Sequence, residues 1–117
     1  MVETQISSLI TKLSKSVGAD YVLTDEYDRS VFSTDLFYGG TPPCCVVQPG
    51  TLEQLTETVR SISNAGLAIV PRGGGLSYSA GYIANTNNSV TVDTKRLNRI
   101  VEINEEDLFV TVESGVS

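Results

Sequence analysis

The stretch that decides the fold is residues 43–78, which read PCCVVQPGTLEQLTETVRSISNAGLAIVPRGGGLSY. Its two short apolar runs, residues 44–47 and 67–70, are each soon followed by a proline and predict two buried strands. Between them, Thr51 and Gln54 have the spacing of a capping box, which predicts the start of a helix. Two strands joined by such a crossover helix are expected to be parallel, with a right-handed connection. The apolar stripe of that helix consists of Leu52, Leu55, Val59 and Ile62.

Upstream of this unit, residues 2–17 predict a helix, because their apolar side chains recur at helical spacing. Residues 20–40 are mixed and polar, and they predict a connecting arm with a short helical piece. The apolar face of the first helix consists of Ile6, Leu9, Ile10, Leu13 and Val17.

Downstream, the second strand of the unit is expected to stop at Pro71. Further strands are predicted at residues 89–93, 99–104 and 108–113, and the polar turn before the last one favours an antiparallel hairpin. Leu108, Val110 and Val112 are expected to share one face of that hairpin. The predicted fold class is therefore α+β, with an N-terminal helix, a β-α-β unit, an antiparallel hairpin and mixed strand directions.

The composition excludes several classes of function. The chain of 117 residues allows one domain at most, and its net charge of −6 comes without clustered Lys or Arg, so neither nucleic acid nor a membrane surface is an expected partner. It contains no histidine, which removes Ser-His and Cys-His nucleophiles and imidazole metal sites. Cys44 and Cys45 are adjacent and are interpreted as small buried side chains rather than a disulfide. No apolar run is long enough to span a bilayer and no secretory signal opens the chain, which predicts a cytoplasmic location.

The glycine run that follows the second strand predicts a binding site for phosphate. Residues 73–75 are all glycine, so their backbone N–H groups can converge on an anion without side chains in the way. Ser77 and Ser79 add hydroxyl donors, and Arg72 is the only charged residue between residues 60 and 93. The alternative is a tight turn with Arg72 at the surface.

Two common phosphate motifs do not fit this loop. An ATPase-type loop requires Lys followed by Ser or Thr after its last glycine, where this chain has Leu76 and Ser77. A Rossmann fingerprint would need a glycine at Tyr78 and a helix over residues 82–88, whose sequence does not favour one.

The order and spacing of the segments resemble the FAD-linked oxidases of the vanillyl-alcohol oxidase and p-cresol methylhydroxylase type. The resemblance covers about residues 43–117 and rests on residues 44–49, 51–55, 69–75, 90–93, 96–100 and 110–116. Residues 17–24 and Asp35 resemble the branch of D-lactate dehydrogenase and glycolate oxidase, which oxidises D-2-hydroxy acids. The resemblance implies that residues 42–117 form the first part of an FAD-binding domain of the p-cresol methylhydroxylase type, with residues 1–41 as its helix and arm.

The same resemblance implies which residues surround the cofactor. The covalent histidine of several family members falls on Leu76, so FAD should be held here without a covalent bond through this loop. The residues implied around the pyrophosphate, with the last two nearby, are Pro71, Arg72, Gly73, Gly74, Gly75, Leu76, Ser77, Tyr78, Gly81 and Tyr82.

The length of the chain limits what it is expected to do alone. Relatives continue into a second cofactor segment and a substrate domain, so this chain is interpreted as a truncated piece of a longer or split FAD-dependent oxidoreductase, with the missing C-terminal part as a partner. Such an enzyme would act on a small alcohol or 2-hydroxy acid, and the piece alone would be inactive. The alternatives are a non-catalytic nucleotide- or phosphate-binding module and an inactive remnant.

Overall fold

The computed structural model describes residues 3–117, which form three α-helices and six strands. The predicted helix start at Val2 lies outside the described residues. The helices are α1 (Glu3–Val17), α2 (Glu26–Val31) and α3 (Leu52–Asn64). The strands are β1 (Val22–Leu23), β2 (Cys45–Val47), β3 (Ala68–Arg72), β4 (Ser89–Asp93), β5 (Ile100–Asn104) and β6 (Phe109–Val112).

Four of the strands form one mixed sheet in the order β1-β2-β4-β3. Strands β2 and β3 both run parallel to β4, and β1 is antiparallel to β2. The predicted parallel β-α-β unit and the mixed strand directions are therefore confirmed. Strand β4 lies between the two strands of that unit, and all of its residues are buried. The sequence of the β-α-β unit does not indicate that β4 is inserted, because a crossover helix can connect two adjacent strands or two strands with another between them.

Strand β3 is an edge strand, and two predictions about it were wrong. It continues through Pro71 to Arg72, and its side chains are exposed or half-buried. An edge strand has a neighbour on one side only, so a residue without a backbone N–H is tolerated there. Of residues 67–70, which we expected to be buried, only Leu67 is, whereas every residue of β4 is buried.

Helices α1 and α3 contact each other and cover the sheet. The core joins these helices to β1, β2 and β4, and it includes the predicted α1 residues Leu9, Leu13 and Val17. The division of the chain at residues 41 and 42 stays a prediction. The buried core cluster consists of Leu9, Leu13, Val17, Val22, Cys45, Val47, Ile62, Leu67, Val90 and Val92.

Helix α3 begins as predicted but faces the core differently. The Thr51 hydroxyl accepts a hydrogen bond from the Gln54 amide at 3.1 Å, and the Gln54 side chain accepts one from the amide of Gly50 rather than from that of Thr51. Of the predicted stripe, Leu52 and Val59 are exposed. The buried face of this helix consists of Thr58, Ser61 and Ile62, with Leu55 partly buried.

Strands β5 and β6 form a separate antiparallel ribbon, as predicted. Leu108 lies in the turn before β6, with φ of 58°. The strand face predicted from Leu108, Val110 and Val112 therefore contains only Val110 and Val112. Apolar side chains on both strands are exposed. Arg99 and Glu113 close the base of the ribbon with an ion pair of 2.8 Å.

The two cysteines are free, as expected from their adjacency. Cys45 is fully buried in β2, and Cys44 is half-buried. Burial, together with the neighbouring Cys44, raises the pKa of the Cys45 thiol to about 12. Among residues 3–117, no helix is long and apolar enough to cross a membrane.

Candidate functional site

The glycine loop leaves the sheet at the carboxyl end of β3, beside the end of β4. The backbone N–H and the hydroxyl of Thr94 both donate to the carbonyl oxygen of Arg72, at 3.0 and 3.1 Å. These two bonds fix the start of the loop to the turn that follows β4. Parallel strands that end together at one edge are a common location for a ligand site.

The loop presents a row of backbone donors that the described part of the protein does not use. Within residues 3–117, the N–H groups of residues 73–78 donate to no backbone or side-chain acceptor. A Cβ atom added to Gly74 would meet no heavy atom within 4 Å, so the space in front of this backbone is open. A cavity of about 290 Å³ adjoins it, and its lining includes two cations and one carboxylate: Phe32, Arg72, Gly73, Gly74, Asp93, Lys95, Gly115 and Ser117.

Two serines of the loop shape it from within. The hydroxyl oxygen of Ser77 accepts hydrogen bonds from the amides of Ser79 and Gly81, both at 3.2 Å, and lies 3.4 Å from the Ser79 hydroxyl. Such side-chain to backbone bonds stabilise a local turn. The Ser77 oxygen is used as an acceptor in these bonds, so the prediction that the hydroxyls of Ser77 and Ser79 donate to a phosphate stays a prediction.

The side chain of Arg72 packs against two aromatic rings at the base of the loop. Its guanidinium carbon is 4.6 Å from the ring centroid of Phe32 and 4.8 Å from that of Tyr82. Tyr82 is buried, and its hydroxyl donates to the carbonyl oxygen of Gly75 at 2.6 Å. The Nη1 atom of Arg72 is buried and has no hydrogen-bond partner among residues 3–117.

The remaining predicted residues lie on the outer surface of the same segment. Pro71 is exposed in β3, Gly81 is exposed, and the side chains of Leu76 and Tyr78 are 75% and 67% exposed. The structure therefore groups all ten residues on one loop and its two ends. Their role in binding a cofactor stays a prediction.

The arm that precedes β2 contacts the loop, which sequence reasoning missed. One carboxylate oxygen of Asp35 accepts hydrogen bonds from the amides of Phe37 and Tyr38, and the other accepts one from the amide of Ala80 at 3.1 Å. The rings of Phe37 and Tyr78 lie 5.8 Å apart between centroids. The aspartate followed by two aromatic residues could have indicated a local turn, but no sequence signal pointed to Ala80, which is 45 positions away.

The contact of Asp35 with the loop predicts a dependence on pH. Burial raises the pKa of Asp35, but the amide donors of Phe37, Tyr38 and Ala80 outweigh burial and hold it below its ordinary value. The contact is therefore fully formed above the ordinary pKa of about 4 and is lost as the pH falls through the lowered value. We expect amide exchange at Ala80, corrected for the intrinsic effect of pH, to stay slow from pH 8 to pH 5 and to accelerate below about pH 4.

Two variants test this assignment. In Asp35→Asn the accelerated exchange should be present at every pH, because the carboxylate that accepts from Ala80 is gone. Asp20→Asn, an exposed aspartate outside the arm-loop contact, should keep the wild-type profile. A wild-type profile in Asp35→Asn would contradict the role of this carboxylate.

The loop fits a ligand with an extended anionic group. Unused N–H groups in a glycine turn favour an anion, and the open space at Gly74 lets it approach the backbone. The guanidinium of Arg72, whose Nη1 has no partner among residues 3–117, places a positive charge next to Gly75. Pyrophosphate has the charge and the acceptor oxygens that such a row of donors requires.

Comparisons with known proteins identify the family. Residues 43–117 match the family described as FAD binding domain. A D-2-hydroxyglutarate dehydrogenase of Stutzerimonas stutzeri is 33% identical over 110 residues, which cover 93% of this chain and 24% of that protein. The crystal structure of p-cresol methylhydroxylase with substrate bound superposes on the whole chain with a TM-score of 0.86 at 20% identity, and the chain covers 24% of it. A 4-ethylphenol oxidase from Gulosibacter chungangensis gives 0.85 at 28% identity over 99% of the chain, which covers 23% of it.

The chain thus spans about a quarter of the length of the relatives that it matches. The matched segment contains the sheet strands β2, β3 and β4, the glycine loop and the β5–β6 ribbon. From the family match and the shared fold, we conclude that the chain belongs to the FAD binding domain family, in the fold of p-cresol methylhydroxylase, with FAD as its cofactor.

Proposed function

We propose that this chain binds the pyrophosphate of FAD with the loop of residues 71–82, as the first part of a flavin-dependent oxidoreductase. The observation that carries the proposal is the row of unused N–H groups of residues 73–78. These donors would bind the pyrophosphate oxygens, and Gly73 and Gly74 would let the phosphates approach the backbone.

Leu76 indicates whether FAD is bonded covalently to this loop. Its side chain is exposed on the loop and offers no nucleophile. FAD would therefore be held by hydrogen bonds and shape, without a covalent bond to this loop. A preparation denatured in acid should release all of its flavin into the supernatant.

The reaction that we propose is the oxidation of a small 2-hydroxy acid or alcohol. When bound, FAD supplies the acceptor for a hydride from the carbon that carries the substrate hydroxyl. The D-2-hydroxyglutarate dehydrogenase match supports a 2-hydroxy acid as the substrate class. The loop described above would position the cofactor, and the described residues include no histidine to accept the proton of the substrate hydroxyl.

A comparison of ligands tests the proposal. Flavin fluorescence reports binding, because flavins absorb and emit in the visible range, where protein side chains do not. We expect saturable quenching with FAD, and competition by ADP, because ADP shares the pyrophosphate. FMN, which has one phosphate, should bind at least about tenfold more weakly, since it loses charge-assisted hydrogen bonds of about 1.5–3 kcal/mol each.

The outcomes separate the proposal from its alternatives. Equal affinity for FAD and FMN would contradict recognition of the pyrophosphate. ADP that binds as tightly as FAD would favour a nucleotide-binding module without redox function. The absence of any FAD-dependent rise in the melting temperature would contradict cofactor binding by this chain.

A further inference from the structure

We propose that Arg72 is a positioning residue of the glycine loop, whose planar guanidinium packs against Gly75 and fixes the direction of the free amides of residues 73–78. The support of the loop is a property of the protein without ligand. Its consequence for FAD rests on the proposed function above.

The guanidinium joins three separate segments of the chain. Arg72 ends β3, Phe32 comes from the arm at the end of α2, and Tyr82 lies at the far end of the loop. With its central carbon 4.6 Å from one ring centroid and 4.8 Å from the other, the guanidinium lies within cation–π distance of both. A planar, delocalised cation can stack on aromatic rings in a way that the compact ammonium of lysine cannot reproduce.

The contact with Gly75 transmits this support to the loop. A Cβ atom on Gly75 would lie 2.8 Å from Nη2 of Arg72 and 3.2 Å from its Nε, so the guanidinium packs directly against this glycine. Gly75 has φ of 74°, a conformation that favours glycine, and its carbonyl oxygen accepts from Tyr82. Because Arg72 and Tyr82 hold both the α-carbon and the carbonyl of Gly75, they determine how the neighbouring peptide units are oriented.

Aromatic packing, and not an ion pair, holds this side chain. Among residues 3–117, the ion pairs are Arg60 with Glu57 and Arg99 with Glu113, and neither includes Arg72. Its Nη1 also lacks an acceptor in the same part of the chain. The shape of the guanidinium, as well as its charge, is therefore what the two rings recognise.

The test compares Arg72→Lys, which keeps the charge, with Arg72→Ala, which removes the side chain. In protein without ligand, we expect both variants to exchange the hydrogen-bonded loop amides of Ser79, Ala80 and Gly81 about tenfold faster or more, since the stacked contacts of the planar cation are lost. FAD affinity should fall by a similar factor in both. Arg60→Ala, which removes an exposed arginine of α3, should change neither measurement.

Chemical rescue of Arg72→Ala adds a measurement that a general loss of protein stability would not affect. Ethylguanidinium, at concentrations far below those that unfold proteins, should refill the space between Phe32 and Tyr82 and restore both slow exchange and FAD affinity. Ethylammonium has the charge without the plane and should restore neither. The rescue also shows that the variant is folded.

Three results would separate the proposals. Wild-type exchange and affinity in Arg72→Lys would overturn the positioning role, because a point charge would then suffice. Unchanged exchange with lost FAD affinity in Arg72→Ala would overturn it as well, because the guanidinium would then contact the cofactor directly. Faster exchange with no effect on FAD would support Arg72 as the support of the loop and contradict the proposed cofactor site.

Discussion

Replacing Gly74 with valine is expected to abolish FAD binding and to leave the fold intact. A Cβ atom at this position meets no heavy atom within 4 Å, and Gly74 is not among the residues with positive φ, so the folded chain can accept a branched side chain. The same side chain would stand in the space through which phosphate must approach the free amides. Losing two charge-assisted hydrogen bonds of about 1.5–3 kcal/mol each weakens binding by about a hundredfold or more.

The measurement is a fluorescence titration with FAD, together with thermal unfolding of the variant without ligand. We expect no measurable saturation by FAD and an unfolding midpoint close to that of the wild type. Ala68→Val is a matched control, because it places the same side chain at an exposed position on the strand that leads into the loop. Wild-type FAD affinity in Gly74→Val would rule out the proposed approach of the phosphates.

Replacing Leu13 with alanine is expected to give the largest loss of stability. Leu13 is fully buried in α1 and belongs to the core that joins this helix to the sheet. Truncation of a buried leucine costs about 2–5 kcal/mol, against a total of about 5–15 kcal/mol for a typical domain. Since α1 lies outside the segment that matches the family, this variant tests whether the helix is an integral part of the fold.

Denaturant unfolding of the two leucine variants gives the comparison. Leu52→Ala removes the same side chain from α3, but Leu52 is 68% exposed and its truncation should cost less than about 0.5 kcal/mol. Equal free energies of unfolding for the two variants would mean that α1 does not stabilise the sheet.

Local patterns predicted the elements of this fold well. Each prediction used a pattern of residues that are close together in the sequence. These patterns are the apolar run before Pro49, the cap formed by Thr51 and Gln54, and the helical spacing of Leu9, Leu13 and Val17. The glycine loop was equally visible, because consecutive glycines after a strand have few structural explanations. The structure confirms the parallel β-α-β unit and the antiparallel β5–β6 ribbon.

What could not be predicted depends on contacts between distant segments. The insertion of β4 between β2 and β3 leaves β3 at the edge, and no property of residues 67–72 alone indicates this. The contact between the guanidinium of Arg72 and the ring of Phe32, which is 40 positions earlier by sequence number, could not be predicted either. The hydrogen bond from the Ala80 amide to Asp35 likewise joins segments that are far apart in the sequence. These are the contacts that give the loop its shape.

Hydrogen exchange at the amides of residues 73–78, with and without FAD, tests the central claim most directly. Those N–H groups have no acceptor within residues 3–117, so they should exchange fast in the protein alone. Saturating FAD should slow exchange at these positions, and leave the exposed turn between β5 and β6 unchanged. Saturable binding of FAD with unchanged exchange at residues 73–78 would contradict the claim that this glycine loop holds the pyrophosphate.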